Sequence, residues 1–289
     1  MHVLLVATYE MGHPPLSLAR AAADLHADGH VVSTLDLSVE SRDDEAFARA
    51  DAIAVSVPMH TAMRLALTLI AELRIAHPTK PFAFFGLYAG VSRGETHALG
   101  LSVIEVPTSD AFRAWLDAGP ALVEVLGRGV ATSATPDAPP RRSTLPSLEH
   151  YAHLQRDGTL HLAGYVESTT GCAHRCRHCP VPVVHDGRVH RVDPSVVVAD
   201  ALAQVAAGAS HITFGDPDFL NAPSHALRVA RALHAAVPHI TFDVTVKVEH
   251  VIREAALWDE LATHGCLFVI SAFESTDDHT LRHLDKSHT

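Results

Sequence analysis

The chain has 289 residues, 47% hydrophobic and 19% charged, with 33 acidic against 22 basic side chains and a formal net charge of −11. This length is a prior for about two domains with ordinary cores and excludes a long disordered protein. An acidic balance with no Lys/Arg run argues against non-specific binding to nucleic acid or anionic membranes, and no apolar run reaches the roughly 20 residues of a membrane span.

Residues 1–128 alternate short apolar runs with amphipathic stretches. Strands are predicted at Val3–Thr8, Val31–Leu37, Ala52–Val57, Phe82–Leu87 and Leu101–Val106. Helices are predicted at Pro14–Ala27, with Gly29 just past its end, at Thr61–Ala76, and near Ala111–Leu126 with a break at Gly119-Pro120. Strands without polar alternation, separated by helices, indicate a parallel sheet covered on both faces. The expected fold is α/β, an open, doubly wound, flavodoxin-like sheet. Ligands of such sheets bind at the carboxyl ends of the strands, which places Tyr9–His13, Ser56–Thr61 and Gly86–Gly90 on the functional rim.

Residues 129–160 read as a linker, turn-rich at Thr132–Pro146, with a short helix over Ser147–Leu154. From there to residue 289 a second βα series is predicted. Its strands are Leu162–Glu167, His211–Phe214, Ile240–Val248 and Leu267–Ala272. Its helices start at Asp193-Pro194, with Asp as N-cap, and at Ser224, Arg253 and Asp278. Four βα units are about half of a (β/α)8 barrel. The second domain is therefore expected to be a partial barrel, part of a longer protein or with its open sheet edge covered by something else.

The chemistry concentrates in Gly171-Cys-Ala-His-Arg-Cys-Arg-His-Cys-Pro180, where Cys172, Cys176 and Cys179 form a CxxxCxxC triplet after the first strand of this series. Thiolates are soft ligands that select iron–sulfur clusters, zinc or copper(I). A cubane [4Fe–4S] cluster usually takes four cysteines, so three leave one iron open to a small molecule. Zinc stands as the other metal, with His174, His178 or His185 as its fourth ligand. With four cysteines in all, three of them clustered, no disulfide framework is indicated. With no basic stretch at the N-terminus, a cytoplasmic, reducing location is expected. Cys266, ahead of an apolar strand, reads as a core thiol. Lys247 and Glu249, if the third strand runs through them, share one face by the two-residue period.

The CxxxCxxC loop after a barrel strand resembles the signature of the radical S-adenosylmethionine superfamily. The resemblance implies that Cys172, Cys176 and Cys179 hold a [4Fe–4S] cluster whose open iron is chelated by the amino and carboxylate groups of S-adenosylmethionine, for reductive cleavage to a 5′-deoxyadenosyl radical. It implies that His178, before the last cysteine, lies against the adenine. Gly215, Asp216 and Asp218 would meet the methionine amino group, and Lys247 its carboxylate or Glu249. Glu274, in Ser271-Ala-Phe-Glu274-Ser275, would reach ribose hydroxyls or line the substrate pocket, and Lys286 resembles a family segment read as structural or solvated.

Residues 1–128 resemble, in architecture more than motif, the cobalamin-binding domain that precedes many of these enzymes. The usual DxHxxG loop is absent; His13 lies near its place, and Ser56, Gly86 and Gly90 fall where such domains contact the nucleotide tail. The whole chain is similar to the start of the CUAEP/CCAEP-tail radical S-adenosylmethionine proteins, through Leu-Leu-Val-Ala-Thr-Tyr-Glu10, Asp36-Leu-Ser-Val-Glu40, His178-Cys-Pro-Val-Pro182 and Gly215-Asp-Pro-Asp-Phe219. The tail that names that group is not in these residues, and the fragment is expected to be inactive alone. The implied function is a radical S-adenosylmethionine enzyme, with cobalamin as a further cofactor and methyl transfer to an unactivated carbon as its reaction. The substrate would be a small molecule or peptide, and a ferredoxin or flavodoxin would donate the electron. The alternative is a non-catalytic binding or sensor module, a cobalamin-like domain coupled to a redox cluster or to zinc.

Overall fold

A computed structural model of the protein describes residues 1–125, 138–286 and 288. Of these, 1–125 and 140–151 form one compact unit; 138–139, 152–286 and 288 form the other.

The first unit runs β1 (His2–Ala7), α1 (Leu16–Ala27), β2 (Val31–Asp36), α2 (Asp44–Arg49), β3 (Ala52–Ser56), α3 (His60–Ala76), β4 (Phe82–Phe85), α4 (Leu87–Val91), α5 (Arg93–Ala98), β5 (Ser102–Ile104), α6 (Ser109–Ala118) and β6 (Glu124–Val125). All six strands are parallel, in the order β2-β1-β3-β4-β5-β6. The first five follow the flavodoxin-like order, with the chain reversing direction at β1 and β3. The two-residue strand period explains the two faces. Leu4 and Val6 face Met63, Ile70 and Phe47 on one side, while Val3, Leu5 and Ala7 face Leu18, Leu25, Phe112 and Trp115 on the other.

Three details differ from the sequence reading. The strand from Phe82 stops at Phe85, and Leu87 opens α4 behind Gly86. The helix from Ser109 ends at Gly119 (φ 59°) and gives way to β6. The short α2, capped by the Asp43 side chain on the Ala46 amide at 2.9 Å, was not anticipated. Residues 140–151, inside the expected linker, pack on this unit. The Arg141 amide donates to the Ala19 carbonyl at 2.9 Å, and the Tyr151 hydroxyl donates to the buried Asp36 carboxylate at 3.0 Å. Burial and that neighbouring carboxylate push the Tyr151 phenol far up. Residues 126–137 of the expected linker lie outside the described residues.

The second unit begins with a hairpin, β7 (His153–Arg156) and β8 (Thr159–Val166), turned at Asp157-Gly158, both with positive φ. There follow β9 (Thr169–Gly171), α7 (Val181–His185), β10 (Val189–Arg191), α8 (Pro194–Ala206), β11 (His211–Phe214), α9 (Pro223–Ala236), β12 (Thr241–Thr245), α10 (Val248–Arg253), α11 (Trp258–Thr263), β13 (Cys266–Ile270) and α12 (Asp278–His283). The main sheet has the order β13-β12-β11-β8-β7, parallel except for β7, and forms a curled half-barrel. Asp193 caps α8 as expected, accepting from the Ser195 amide at 2.8 Å. Phe214, Phe219 and Phe242 form a buried aromatic cluster, with Phe214 4.9 and 5.3 Å from the other two rings. Along β13, Leu267–Ile270 are each at least 36% exposed.

The third strand of this series is shorter than expected. It ends at Thr245, and Lys247 is the N-cap of α10, with Glu249 in that helix's first turn. The strand-face argument for these two residues therefore fails; the helix turn brings them together instead.

Candidate metal centre

The three cysteines sit on a nine-residue loop (172–180) held at its root by a two-stranded ribbon. β9 leads in, β10 pairs back on it antiparallel, and α7 closes the loop between them. Asp216, at the end of β11, anchors the approach. Its fully buried carboxylate accepts from the Ser168 amide (3.0 Å), the Ser168 hydroxyl (2.7 Å) and the Thr169 hydroxyl (2.6 Å). Burial raises this carboxyl, and those three donors oppose the shift. Asp216 thus holds the chain just ahead of the thiols and is not turned toward a ligand. Gly215 is likewise bare for an internal reason: a Cβ there would run into the Tyr165 hydroxyl, so the ring of Tyr165 takes the space expected for a ligand.

Cys172, Cys176 and Cys179 line one cavity of about 160 Å³ together with His174, His178, Asp218, Lys247, Glu274 and Lys286. None of the cysteines is in a disulfide. The chain has only three lysines, and two of them line this cavity, each with a side chain 7% exposed. Strand ends set the positions: Asp218 follows β11, Lys247 follows β12 and Glu274 follows β13. Burial pushes the Cys172 and Cys179 thiols up, so as free thiols they are neutral. A bound cation is what turns such thiols into thiolates. Three soft donors without a fourth cysteine, converging on a cavity with cationic side chains, fit an iron–sulfur cluster carrying net negative charge.

The two loop histidines lie four residues apart, and each meets a carboxylate. His178 Nε2 is 3.3 Å from Glu274 Oε1, which also accepts from Lys286 Nζ at 3.1 Å. Burial raises Glu274, but Lys286 and His178 outweigh it and hold the carboxyl below its ordinary range. Glu274 has φ 67°, a left-handed backbone rare for a residue with a side chain, at the cavity wall. His174 Nε2 is 3.4 Å from Asp218 Oδ2, and Lys247 Nζ is 3.1 Å from His174 Nδ1 and 3.1 Å from Glu249 Oε2. Burial raises Asp218 too, and its contacts with His174 and His250 bring it below the usual carboxylate range. Lys286, read from the sequence as structural or solvated, is a wall residue of the cavity.

His185 is not among the lining residues; burial and neighbouring His190 push it down to about 4. Cys266 is also outside the cavity, half-buried, its thiol pushed up to about 11 by burial. Sequence reasoning missed Asn221 and His250. The Asn221 side-chain oxygen accepts from the Ala173 amide at 3.2 Å and lies 3.8 Å from the Cys172 sulfur. His250 Nδ1 is 2.7 Å from Asp218 Oδ2. Both follow residues already singled out, Asn221 in Asp218-Phe-Leu-Asn and His250 in Lys247-Val-Glu-His, and that adjacency was the available signal.

At the rim of the first unit, polar side chains hydrogen-bond to one another. The Ser56 hydroxyl, 1% exposed, is 2.7 Å from that of Ser17, which donates to Glu10 at 3.1 Å. His13 sits in a tight turn, its amide donating to the Glu10 carbonyl at 3.0 Å. Gly86 starts α4 with φ 101°, and Gly90 is bare because the Glu105 carboxylate occupies the place of a Cβ. These four residues stand at or just past the strand ends of the first unit, where the sequence reading put them.

No protein-family model matches the chain, and no curated protein does so. Among solved structures, two of TsrM, a radical S-adenosylmethionine methyltransferase from Kitasatospora setae, are similar to it. One has tryptophan substrate and the S-adenosylmethionine analogue aza-SAM bound, the other cobalamin and a [4Fe–4S] cluster. Each matches 97% of this chain at 19% identity with a TM-score of 0.70, and this chain spans 60% of theirs. The likeness shows a shared fold: a flavodoxin-like parallel sheet followed by a half-barrel sheet.

Proposed function

We propose that this chain is part of a radical S-adenosylmethionine enzyme. Cys172, Cys176 and Cys179 hold a [4Fe–4S] cluster, and S-adenosylmethionine completes its open iron. The observation that carries this reading is the convergence of the three thiols, two of the chain's three lysines and two strand-end carboxylates on one cavity. When bound, the cluster supplies the electron for reductive cleavage of a sulfonium. The protein's own residues bind and orient. Lys247, braced by Glu249 and His174, supplies a positive charge suited to an amino-acid carboxylate. Glu274 presents a carboxylate suited to hydroxyl or ammonium donors, while Asp218 holds His174 and His250 at the cavity wall. The imidazole of His178 lines the same cavity, as a face for a purine.

Methyl transfer to an unactivated carbon, cobalamin-linked through the first unit, is the reaction this reading favours, because the fold is shared with a methyltransferase whose structure carries cobalamin. His13, Ser56, Gly86 and Gly90, at the strand ends of the first unit, are the residues proposed to meet cobalamin. A ferredoxin or flavodoxin is the proposed electron donor, and a small molecule or peptide the substrate. No described helix is long and apolar enough to cross a membrane.

The test is anaerobic reconstitution with iron and sulfide, followed by assay for 5′-deoxyadenosine from S-adenosylmethionine in the whole protein. Four irons per chain and product formation are expected. One zinc and no iron would sink the reading, as would a reduced cluster that yields no 5′-deoxyadenosine. For cobalamin, an unchanged absorbance spectrum on titration with hydroxocobalamin removes that cofactor.

A further inference from the structure

His174 lies midway between the first two thiols and is held from both sides. Its Nδ1 is 3.1 Å from Lys247 Nζ and its Nε2 is 3.4 Å from Asp218 Oδ2. The same carboxylate oxygen is 2.7 Å from His250 Nδ1, and the two imidazole centroids are 4.7 Å apart. Asp218 is itself fixed, its side chain 2% exposed and its other oxygen accepting the Leu220 amide at 3.1 Å. Three segments thus meet at one point: the cysteine loop, the turn after β11 and the helix after β12. We propose that His174 is a positioning residue for the cluster, its ring clamped by Asp218, His250 and Lys247 so that the backbone between Cys172 and Cys176 is held in one place. This rests on the reading that the three thiols hold a cluster.

Another chemistry has to be weighed. The donor atoms of His174, Asp218 and His250 lie within 4.8 Å of one another, all three are buried, and none has an aligned hydrogen bond. Two imidazoles and a carboxylate at that spread suit a divalent cation. The contact geometry argues against it. An ammonium donates and cannot accept, so with Lys247 at 3.1 Å the acceptor role falls to Nδ1 of His174 and Nε2 faces Asp218 as the N–H. A cation at Nε2 would need that nitrogen bare. An N–H at Nε2, 3.4 Å from the Asp218 carboxylate oxygen, gives that oxygen a partner without a metal. Residues that orient metal-bearing segments in this way typically change metal retention about 10–100-fold when replaced.

The experiment compares wild-type protein with His174→Ala, His174→Gln, Asp218→Asn and the His174→Ala/Asp218→Asn double variant, each reconstituted anaerobically. Iron and sulfide content, the rate of iron loss to a chelator, and the EPR spectrum of the reduced cluster are measured. Asp218→Asn is expected to lose iron about 10-fold faster. His174→Ala should lose it at least as fast, and His174→Gln, which keeps an N–H for Asp218, should recover part of the difference. The double variant should be no worse than His174→Ala, because the residues act as one unit. The EPR line shape should shift, which a general loss of stability would not cause. Wild-type iron loss in Asp218→Asn, or factors that multiply in the double variant, would overturn the inference. So would a Mn²⁺ or Zn²⁺ ion bound beside the intact cluster and lost in His250→Ala. Wild-type protein that takes up no cluster overturns the underlying reading; a sound wild-type cluster with unaltered variants overturns only this inference.

Discussion

The two units solve the same problem with different endings. Each is a wholly or mainly parallel sheet with helices packed on it and a buried aromatic cluster: Phe85, Phe112 and Trp115 in the first, Phe214, Phe219 and Phe242 in the second. At the carboxyl ends of the strands they part. In the first unit the polar side chains satisfy each other, Ser17 with Ser56 and Glu10, and Glu105 lies on Gly90. In the second, thiols, lysines and carboxylates surround open space. The sheet supplies an address, and the residues at the strand ends decide which chemistry that address can hold.

The sharpest way to break this contrast is Cys176→Ala. Removing one of three thiols should abolish stable iron uptake; iron content equal to wild type would show that the second rim is no more a metal site than the first. Next in size is Phe242→Ala, which opens a cavity in the second unit's aromatic cluster. It should cost about 3–5 kcal/mol, read by denaturant unfolding, and Trp115→Ala should cost a similar amount in the first unit. If only one of the two costs that much, the cores are not equivalent.

A pH effect should separate the units further. His185 is held neutral, its pKa pushed down to about 4 by burial and by His190. The unfolded chain therefore binds this proton more readily, and its contribution is fully present above about pH 6.5. As pH falls from there toward 4 the second unit should lose up to about 3 kcal/mol, with no further loss from this group below. His185→Leu should flatten the curve; an unchanged pH profile in that variant would remove His185 as its source. The smallest effect expected is at a cap: Asp193→Ala, which removes the acceptor of the Ser195 amide at the N-terminus of α8, should lower the denaturant midpoint slightly, and less than either core variant.

The alternation of apolar runs and amphipathic stretches made both sheets legible in the sequence, because strands such as Leu4–Val6 and Ala52–Val55 are buried on both faces and carry no polar alternation. Short elements were not legible. α2 spans six residues and buries only Phe47, too little for a period to show. The β7–β8 hairpin did carry a signal, Asp157-Gly158 between the two strands, but it lay inside a stretch read as linker. At the site, the cysteine spacing was enough to mark the loop. The partners of its histidines were not, since Asp218, His250 and Glu274 lie 44, 76 and 96 residues from the residue each one serves by contact in space alone (His174 for the first two, His178 for the last). Lys247 and Glu249 show the opposite case, a correct pairing reached from the wrong element: a strand period was invoked where a helix start does the work.

One backbone contact ties the chemistry to the last helix. The Arg177 amide, between the second and third cysteines, donates to the Leu284 carbonyl at 3.0 Å, just past the end of α12. Whatever stiffens the cysteine loop should also slow amide exchange around Leu284 and shield Arg282 from trypsin. Protease sensitivity at Arg282 then becomes a gauge of loop occupancy that needs neither a substrate nor an electron donor.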